Sequence, residues 1–312
     1  MKVIVKSATD LGLIRRDNED SHGSWVPADP EELRRRGALL VIADGMGGAR
    51  AGKVASRMTV DTVLRVYRES PSVHPLSDLR AAIVSANQAV HSESQNHPEL
   101  GGMGTTCTAL VVREGESFVA HVGDTRAYLV RQRRIQQLTR DHSLVAQLVE
   151  EHQMSADQAR ADRRRNVVTR SIGIEPEVDV DADRIPVPLV ARDTLLLCTD
   201  GLHGLVRDDE LSPLASEADL ERSCRQMIAL ARQRGGPDNI TVVLARIESD
   251  AAETTTAERV DRSEDSRRTL VLLIVAAVGL LVTLAAIGWL LAHAGRGPTF
   301  GSRQRPAAEA RA

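Results

Sequence analysis

Four short apolar runs, each of which meets an acidic turn, place the strongest constraint on the fold of this chain. Short runs of this kind, bounded by small polar residues, are typical of buried β-strands. Asp44 follows residues 38–43, Asp124 follows 117–122, Asp200 follows 194–199, and Asp238 precedes 240–247. The sequence therefore predicts four strands with a carboxylate at one end of each.

Helical periodicity separates these strands. Apolar residues recur every three or four positions at 52–68, 76–96, 143–160 and 217–234. Several strands are adjacent in sequence, and the helices come in pairs between them. This order predicts an α+β fold of mixed layers and argues against a strictly alternating parallel sheet.

Carboxylates gathered at one end of a sheet repel each other unless they are protonated or bridged by cations. Hard divalent ions such as Mg²⁺ and Mn²⁺ prefer oxygen ligands, and each accepts one or two carboxylates together with several waters. A glycine beside an aspartate, as at Asp44-Gly45, lets its own carbonyl approach an ion. The strand-end carboxylates therefore indicate a two-metal cluster.

An arginine near the start of the chain adds a phosphate-binding group. The stretch GLIRRDNED, residues 12–20, places Arg15 near Asn18, Glu19 and Asp20. By itself this stretch is the pattern of an exposed charged turn. Beside a metal cluster, a guanidinium is suited to hold a phosphate, because it is planar, permanently charged and donates two parallel hydrogen bonds.

A set of ordered motifs then carries a family resemblance. The motifs are GLIRRDNEDS (12–21), VIADGMGG (41–48), GMGTTCTALVV (102–112), HVGDTRAYL (121–129), LTRDHS (138–143), VTRSIG (168–173), LLLCTDGL (195–202) and GGPDNITVV (235–243). In this order, over about residues 5–247, the chain resembles bacterial metal-dependent serine/threonine protein phosphatases of the PP2C (PPM) family. The resemblance implies an α-β-β-α sandwich of two antiparallel sheets flanked by helix pairs, with the metals between the sheets at one end.

The resemblance also implies roles for the acidic residues. Asp44 is expected to bridge two metal ions, and the carbonyl of Gly45 to ligate one of them. Asp200 and Asp238 are expected to complete the pair of sites.

Three further positions are implied in the same way. Asp20 is expected to act mainly through a metal-bound water, and Asp124 matches a weaker third metal site that it shares with Asp200. Arg15 is expected to hold the substrate phosphate, and residues 144–168 correspond to a variable flap beside the cleft.

The implied reaction is hydrolysis of phosphoserine and phosphothreonine in proteins by a water held between two Mn²⁺ or Mg²⁺ ions. The implied partners are phosphoproteins, among them a cognate serine/threonine kinase and its targets. A cysteine phosphatase has the motif Cys-x5-Arg, but the position that this spacing gives after Cys198 is occupied by Gly204. Met46 stands where eukaryotic relatives carry histidine, which leaves the general acid open. No role is assigned to the histidines near the motifs, which are His22, His121, His142 and His203.

Two alternatives compete with this interpretation. The stretch GGARAGK, residues 47–53, has the spacing of a P-loop between a strand and a helix, but Val54 stands where a Ser or Thr is needed for Mg²⁺. The second alternative is a phosphatase-like binding module without catalysis, because a fold does not by itself imply an activity.

A second part of the chain is predicted to be a membrane anchor. Residues 269–292 carry no charge, and a helix of that length spans about 36 Å at about 1.5 Å per residue. Residues 1–248 are predicted to be the phosphatase domain, 249–268 a polar juxtamembrane linker and 293–312 a short disordered tail. Arg267-Arg268 directly before the span, with no export signal at the N-terminus, favours a cytoplasmic phosphatase domain.

The composition excludes other classes of protein. A net charge of −3 and an aromatic content of 2% argue against nucleic-acid binding, which needs a basic field or stacking rings. Cys107, Cys198 and Cys224 are widely spaced, so neither a disulfide framework nor a zinc site is expected.

Overall fold

The computed structural model describes residues 2–182 and 186–248, and this part of the chain forms twelve β-strands and eight α-helices. The strands are β1 (Lys2–Asp10), β2 (Ser21–Trp25), β3 (Ala38–Ala43), β4 (Gly45–Met46), β5 (Gly104–Thr105), β6 (Cys107–Arg113), β7 (Glu116–Val122), β8 (Arg126–Arg131), β9 (Arg134–Gln137), β10 (Val187–Pro188), β11 (Thr194–Cys198) and β12 (Ile240–Glu248). The helices are α1 (Pro30–Arg36), α2 (Ala49–Glu69), α3 (Pro75–Asn96), α4 (Leu144–Glu150), α5 (Ala156–Ala161), α6 (Asp200–His203), α7 (Asp208–Ala215) and α8 (Leu220–Gln233).

Two five-stranded sheets form the centre of the fold. One has the order β1-β12-β11-β8-β9 and the other the order β10-β7-β6-β3-β2, and neighbouring strands in both are antiparallel. We refer to them as the first and the second sheet. A short ribbon of β4 and β5 lies outside both.

The alternation of side chains along β3 explains how the layers stack. Successive residues of a strand point to opposite faces of its sheet. Leu40 and Ile42 belong to the apolar cluster between the two sheets, whereas Leu39 and Val41 belong to the cluster beneath α2 and α3. Because both faces are covered, the strand is a continuous apolar run with every residue buried.

The helices cover the outer faces of both sheets. In α3, Leu79, Ala82, Ile83 and Ala86 recur at helical spacing and are buried in the cluster beneath α2 and α3. On the first sheet, α6, α7 and α8 share a separate cluster with β8, β11 and β12. The predicted α-β-β-α sandwich of two antiparallel sheets between helices is confirmed.

Three predicted helices form with ends within three residues of the expected ones, but the helix predicted at 143–160 is wrong. That segment forms α4 and α5 instead. His152 adopts a left-handed conformation with φ of 58°, and Ser155 begins α5 with a capping box to Gln158. Apolar periodicity continues through the segment, so it did not reveal the turn between the two helices.

The predicted linker, membrane span and tail, residues 249–268, 269–292 and 293–312, lie outside the described residues. Among the residues that are described, no helix combines the length and the apolar composition that a membrane span requires. Cys107, Cys198 and Cys224 are buried, and none of the three forms a disulfide.

Candidate metal centre and active site

The strand register brings four of the predicted carboxylates to the same end of the sandwich. In the second sheet, Ser21 at the start of β2 pairs with Ala43 at the end of β3, so Asp20 and Asp44 leave the sheet together. In the first sheet, Cys198 at the end of β11 pairs with Val242 near the start of β12. Asp200 follows β11 and Asp238 precedes β12, so both lie at the same end of these neighbouring strands.

Asp124 reaches the same region because the chain changes sheets beside it. The strand β7 belongs to the second sheet and β8 to the first, and Gly123 makes the turn between them with φ of 109°. A Cβ at this glycine would lie 2.5 Å from the side chain of Thr106. Any residue with a Cβ would clash with Thr106 here, so only glycine fits the turn between β7 and β8.

A cavity of about 330 Å³ opens between these strand ends. It is lined by Arg15, Glu19, Asp44, Gly45, Met46, Gly47, Gly48, Thr106, Asp124, Asn166, Val168, Asp200 and Asp238. All predicted site residues except Asp20 therefore line one cavity.

Hydrogen bonds fix the backbone of Asp44. Its amide donates to Oγ1 of Thr106 at 2.9 Å, and its carbonyl accepts from Oγ1 of Thr105 at 2.8 Å and from the Thr106 amide at 2.9 Å. The backbone needs no side-chain oxygen of Asp44, so the carboxylate is left for the cavity.

Asp20 joins the two sheets from beneath the cavity. Its Oδ2 accepts hydrogen bonds from Oγ1 of Thr199 at 3.0 Å and from Oγ1 of Thr241 at 2.6 Å. Thr199 directly follows β11 and Thr241 lies in β12 of the first sheet, whereas Asp20 precedes β2 of the second. One carboxylate oxygen is thus held in place, and Oδ1 is left without a hydrogen-bond partner among the described residues.

Burial and mutual repulsion disfavour the charged forms of these carboxylates. Burial, followed by the fields of Asp20, Asp200 and their acidic neighbours, raises the pKa of Asp44 well above its ordinary value. Burial is also the main cause that raises the pKa of Asp20 to about 7 and that of Asp200 to about 6. A nearby Asp238 raises the pKa of Asp200 further. Such a cluster is stable at neutral pH only with protons or cations.

The donor set fits divalent ions. Oδ1 of Asp200, like Oδ1 of Asp20, is buried and has no hydrogen-bond partner in the described part of the chain. Orphaned buried carboxylate oxygens are the ligands that Mg²⁺ and Mn²⁺ prefer. Within residues 2–182 and 186–248, no three acidic, histidine or cysteine side chains already form a closed ligand group.

Close packing explains Gly52 of the P-loop-like stretch and Gly45 just before that stretch. A Cβ at Gly45 would lie 2.2 Å from the carbonyl oxygen of Gly52, and a Cβ at Gly52 would lie 2.2 Å from Oε2 of Glu19. The helix α2 therefore passes directly against the Asp44-Gly45 turn. Lys53 points to solvent and does not line the cavity. The glycines serve helix packing at the acidic site, which argues against a nucleotide loop.

Arg15 lies at the mouth of the cavity. Its Nη2 donates to Oδ2 of Asp238 at 2.7 Å, and about half of its side chain is exposed. The hydrogen bond to Asp238 is the largest cause that raises the pKa of Arg15. A permanently charged guanidinium thus stands beside a predicted metal ligand, with part of its surface open to a ligand.

Sequence reasoning assigned no role to two residues that support the site, Glu19 and Asn239. The amide of Glu19 donates to Oδ1 of Asn239 at 2.8 Å, and Nδ2 of Asn239 donates to the carbonyls of Leu11 and Asp17, each at 3.0 Å. The side chain of Glu19 is itself 7% exposed and lines the cavity. Its place directly before Asp20, and that of Asn239 directly after Asp238, were the available signals.

Two histidines without an assigned role hold the turn at Asp124. The Gly123 amide donates to Nδ1 of His142 at 3.1 Å, and Nε2 of His203 donates to the Asp124 carbonyl at 3.0 Å. Burial lowers the pKa of His203 to about 3, so this imidazole stays neutral. The histidines act on the backbone of the turn rather than in the cavity.

Two stacked sheets that place an acidic cluster and an arginine in one cleft define the class of metal-dependent phosphoryl hydrolases. Comparison with known proteins specifies the family: the model of the protein phosphatase 2C family matches residues 18–245. The chain belongs to the protein phosphatase 2C family.

Named relatives agree with this assignment. The serine/threonine phosphatase Stp of Listeria monocytogenes is 36% identical over 241 residues, which cover 76% of this chain and 92% of the relative. The structure is similar to that of Stp1 from Staphylococcus aureus, with a TM-score of 0.72 and 33% identity over 80% of this chain and 96% of the other. The predicted phosphoprotein phosphatase is thereby confirmed.

A further structure bears on the cofactor. The catalytic domain of the phosphatase PstP, solved in complex with two manganese ions, has a TM-score of 0.67 and 32% identity over 79% of this chain and 99% of that one. The prediction of two Mn²⁺ or Mg²⁺ ions is confirmed at the level of the family. The weaker third ion at Asp124 stays a prediction.

Proposed function

We propose that this chain is a membrane-anchored phosphatase that removes phosphate from phosphoserine and phosphothreonine in proteins with two divalent ions. The observation that carries the proposal is the convergence of buried, partly unpartnered carboxylates at the common end of both sheets. Asp44, the carbonyl of Gly45, Asp200 and Asp238 would hold the ions, and Asp20 would act on the same site from beneath. When bound, the ions supply the positive charge that activates a water and offsets charge on the phosphoryl oxygens.

The chain's own residues orient the substrate. Arg15 can donate two hydrogen bonds to phosphate oxygens from the mouth of the cavity, and its ion pair with Asp238 fixes the guanidinium beside the acidic cluster. Thr199 and Thr241 fix Asp20, and Thr105 and Thr106 fix Asp44. Met46 lines the cavity and cannot donate a proton.

The proposal also covers partners and location. A cognate serine/threonine kinase and its phosphorylated targets are the proposed substrates. Residues 269–292 are proposed to contact membrane lipid and to hold the phosphatase domain at the cytoplasmic face. A domain held there by a polar linker would meet phosphoproteins close to the membrane.

Phosphate release from a neutral phosphothreonine peptide by the full chain tests the activity. We expect turnover with Mn²⁺ and none after the ion is removed with a chelator. ATP hydrolysis that depends on Lys53 would instead support a nucleotide-binding protein. Tight Mn²⁺ binding without any phosphate release would support a catalytically silent binding module.

A further inference from the structure

A second and larger cavity continues from the acidic site along the flap. It has a volume of about 770 Å³ and shares Arg15, Asp124, Asp200 and Asp238 with the metal-site cavity. We call it the flap groove. Its other wall is formed by α4, α5 and the residues that follow them. A protein chain whose phosphorylated residue occupies the metal site would therefore extend into this groove.

The base of the flap is closed by backbone hydrogen bonds. The Leu144 amide donates to the Val167 carbonyl at 2.9 Å, and the Thr169 amide donates to the His142 carbonyl at 2.8 Å. The segment that leads into the flap is thus hydrogen-bonded to the segment that leads out of it. The wall of the groove is anchored to the body of the domain at a defined place.

The groove can accept both backbone and apolar side chains. Val145, Val149 and Ala159 line it from the flap, and Leu205 and Pro237 line it from the opposite side. Contact with apolar groups is not sequence-specific, so it provides area for a peptide rather than selectivity. Selectivity must come from the charged groups.

Most acidic groups of the groove are already committed. Asp124, Asp200 and Asp238 belong to the metal centre, and Asp141 receives three hydrogen bonds of 2.7–3.0 Å from Arg126. Asp208 is the remaining acid and lies in the first turn of α7, where helix amides favour its charge. Among the acids that line the groove, only Asp208 is therefore outside both the metal centre and the ion pair with Arg126, and its Oδ1 is buried without a hydrogen-bond partner in the described part of the chain.

Two arginines of the flap that line the groove, Arg160 and Arg165, are not committed in this way. Arg140 forms an ion pair with Glu150, but Arg160 and Arg165 have no carboxylate within ion-pair distance among the described residues. Arg165 donates instead to the carbonyl of Arg160 and to the side-chain oxygen of Asn166, each at 3.3 Å. The flap thus presents unpaired positive charge to the groove, with Arg160 exposed at the end of α5.

We propose that the flap groove selects phosphoproteins with acidic residues next to the phosphorylated serine or threonine, and that Arg160 is a specificity-determining residue of this site. The inference rests on the proposed phosphatase function. An Asp or Glu of the substrate would pair with the Arg160 guanidinium while the substrate backbone lies against the apolar part of the groove. A basic residue at the same place would face uncompensated positive charge.

The test uses the full chain with Mn²⁺ and three phosphothreonine peptides that differ only in their flanking residues, which are Glu, Ala or Lys. We expect kcat/KM for the Glu peptide to exceed that for the Lys peptide by about tenfold at low salt, and high salt to reduce the ratio. The variant Arg160→Glu is expected to bring the ratio to one or below. Arg160→Lys is expected to keep the preference for Glu.

Arg163 provides the matched control, because it is an exposed flap arginine that does not line the groove. The variant Arg163→Glu is expected to keep the wild-type ratio. Equal kcat/KM values for the Glu and Lys peptides with the wild type would overturn the inference, as would an equal change of the ratio in both charge-reversed variants. If the wild type releases no phosphate from the Ala peptide, the proposed function itself fails, and the inference fails with it.

Discussion

At the scale of single residues, the buried carboxylates of the acidic site destabilise the metal-free fold, although the proposed reaction needs them. The carboxyl group of Asp44 is surrounded by Asp20, Asp124, Asp200 and Asp238, and burial together with these neighbours raises its pKa. Nothing in the described packing needs a charge at this point. A neutral side chain of the same shape would suit the metal-free fold better than aspartate does.

Replacing the carboxylate of Asp44 should change stability and activity in opposite directions. In the variant Asp44→Asn, we expect phosphate release to fall to background, because a carboxylate proposed to hold the ions is lost. We also expect the metal-free variant to unfold about 2–4 °C above the wild type at pH 8, because one repelling charge is gone. Calorimetric unfolding and peptide turnover measure both effects. Wild-type turnover in Asp44→Asn, or in Asp238→Asn, would contradict the assignment of these ligands.

The raised pKa values predict how metal binding depends on pH. Because Asp20 and Asp200 have pKa values of about 7 and about 6, they hold protons at a pH where an ordinary Asp is charged. An ion must displace these protons, so the apparent Mn²⁺ affinity should rise as pH increases from about 5 to about 8 and level off above the pKa of Asp20. Titration calorimetry in buffers with different ionisation enthalpies should detect proton release at pH 6. Affinity that does not change over this range would contradict the predicted protonation.

At the scale of elements, a buried arginine links helices that cover the second sheet. Arg36 ends α1 with 2% of its surface exposed, donates to the carbonyls of Tyr67 and Ser72, and lies 3.6 Å from the carboxylate of Asp78. The Tyr67 hydroxyl donates back to the Arg36 carbonyl at 2.7 Å. One side chain thus fixes α1, the end of α2 and the start of α3 relative to each other.

Removing this arginine should destabilise the fold strongly. The variant Arg36→Leu leaves Asp78 buried without its cation, which costs about 3–5 kcal/mol in unfolding free energy. Urea unfolding measures the loss. Arg57→Leu is the control, because the ion pair of Arg57 with Asp61 is exposed and is worth less than about 1 kcal/mol. Equal losses in the two variants would show that the buried pair has no special weight.

The turn that carries Asp124 gives a second prediction at this scale. The variant His203→Ala removes the donor to the Asp124 carbonyl and should lower the unfolding free energy by about 1–3 kcal/mol and weaken binding of the predicted third ion. His203→Gln keeps an amide donor and should lose less stability. Urea unfolding and Mn²⁺ titration compare the two variants. Unchanged stability in His203→Ala would mean that the contact does not hold the turn.

The local sequence pattern predicted β3 from its continuous apolar run and α3 from its apolar stripe at helical spacing, because in both elements the residue pattern itself reports which side chains are buried. The local sequence pattern did not predict features that depend on contacts between residues far apart in the sequence. The strand β1 has a mixed burial pattern and is defined by its pairing along β12, which lies at the other end of the domain. The acidic turns were visible locally, whereas the bond between Glu19 and Asn239 joins residues 220 positions apart. No local signal reports such a contact.

At the scale of the whole molecule, the phosphatase domain and the predicted anchor are separable in sequence. The family match ends at residue 245, and the apolar segment 269–292 begins after a polar stretch. We expect the full chain to sediment with membranes and a chain ending at residue 248 to stay in the supernatant. Both should hydrolyse a soluble phosphopeptide with the same kcat/KM, because the residues that line the site end at Asp238. A full chain that stays in the supernatant would contradict the anchor.

The central claim is that carboxylates far apart in the sequence meet at one end of the sandwich to bind two divalent ions. The most direct measurement is the stoichiometry of Mn²⁺ binding to the metal-depleted full chain by titration calorimetry at pH 7.5. The account predicts two ions bound to the wild type, with a possible weaker third, and loss of the paired binding in Asp44→Asn. No binding at millimolar Mn²⁺, or the same stoichiometry and affinity in Asp44→Asn, would contradict it.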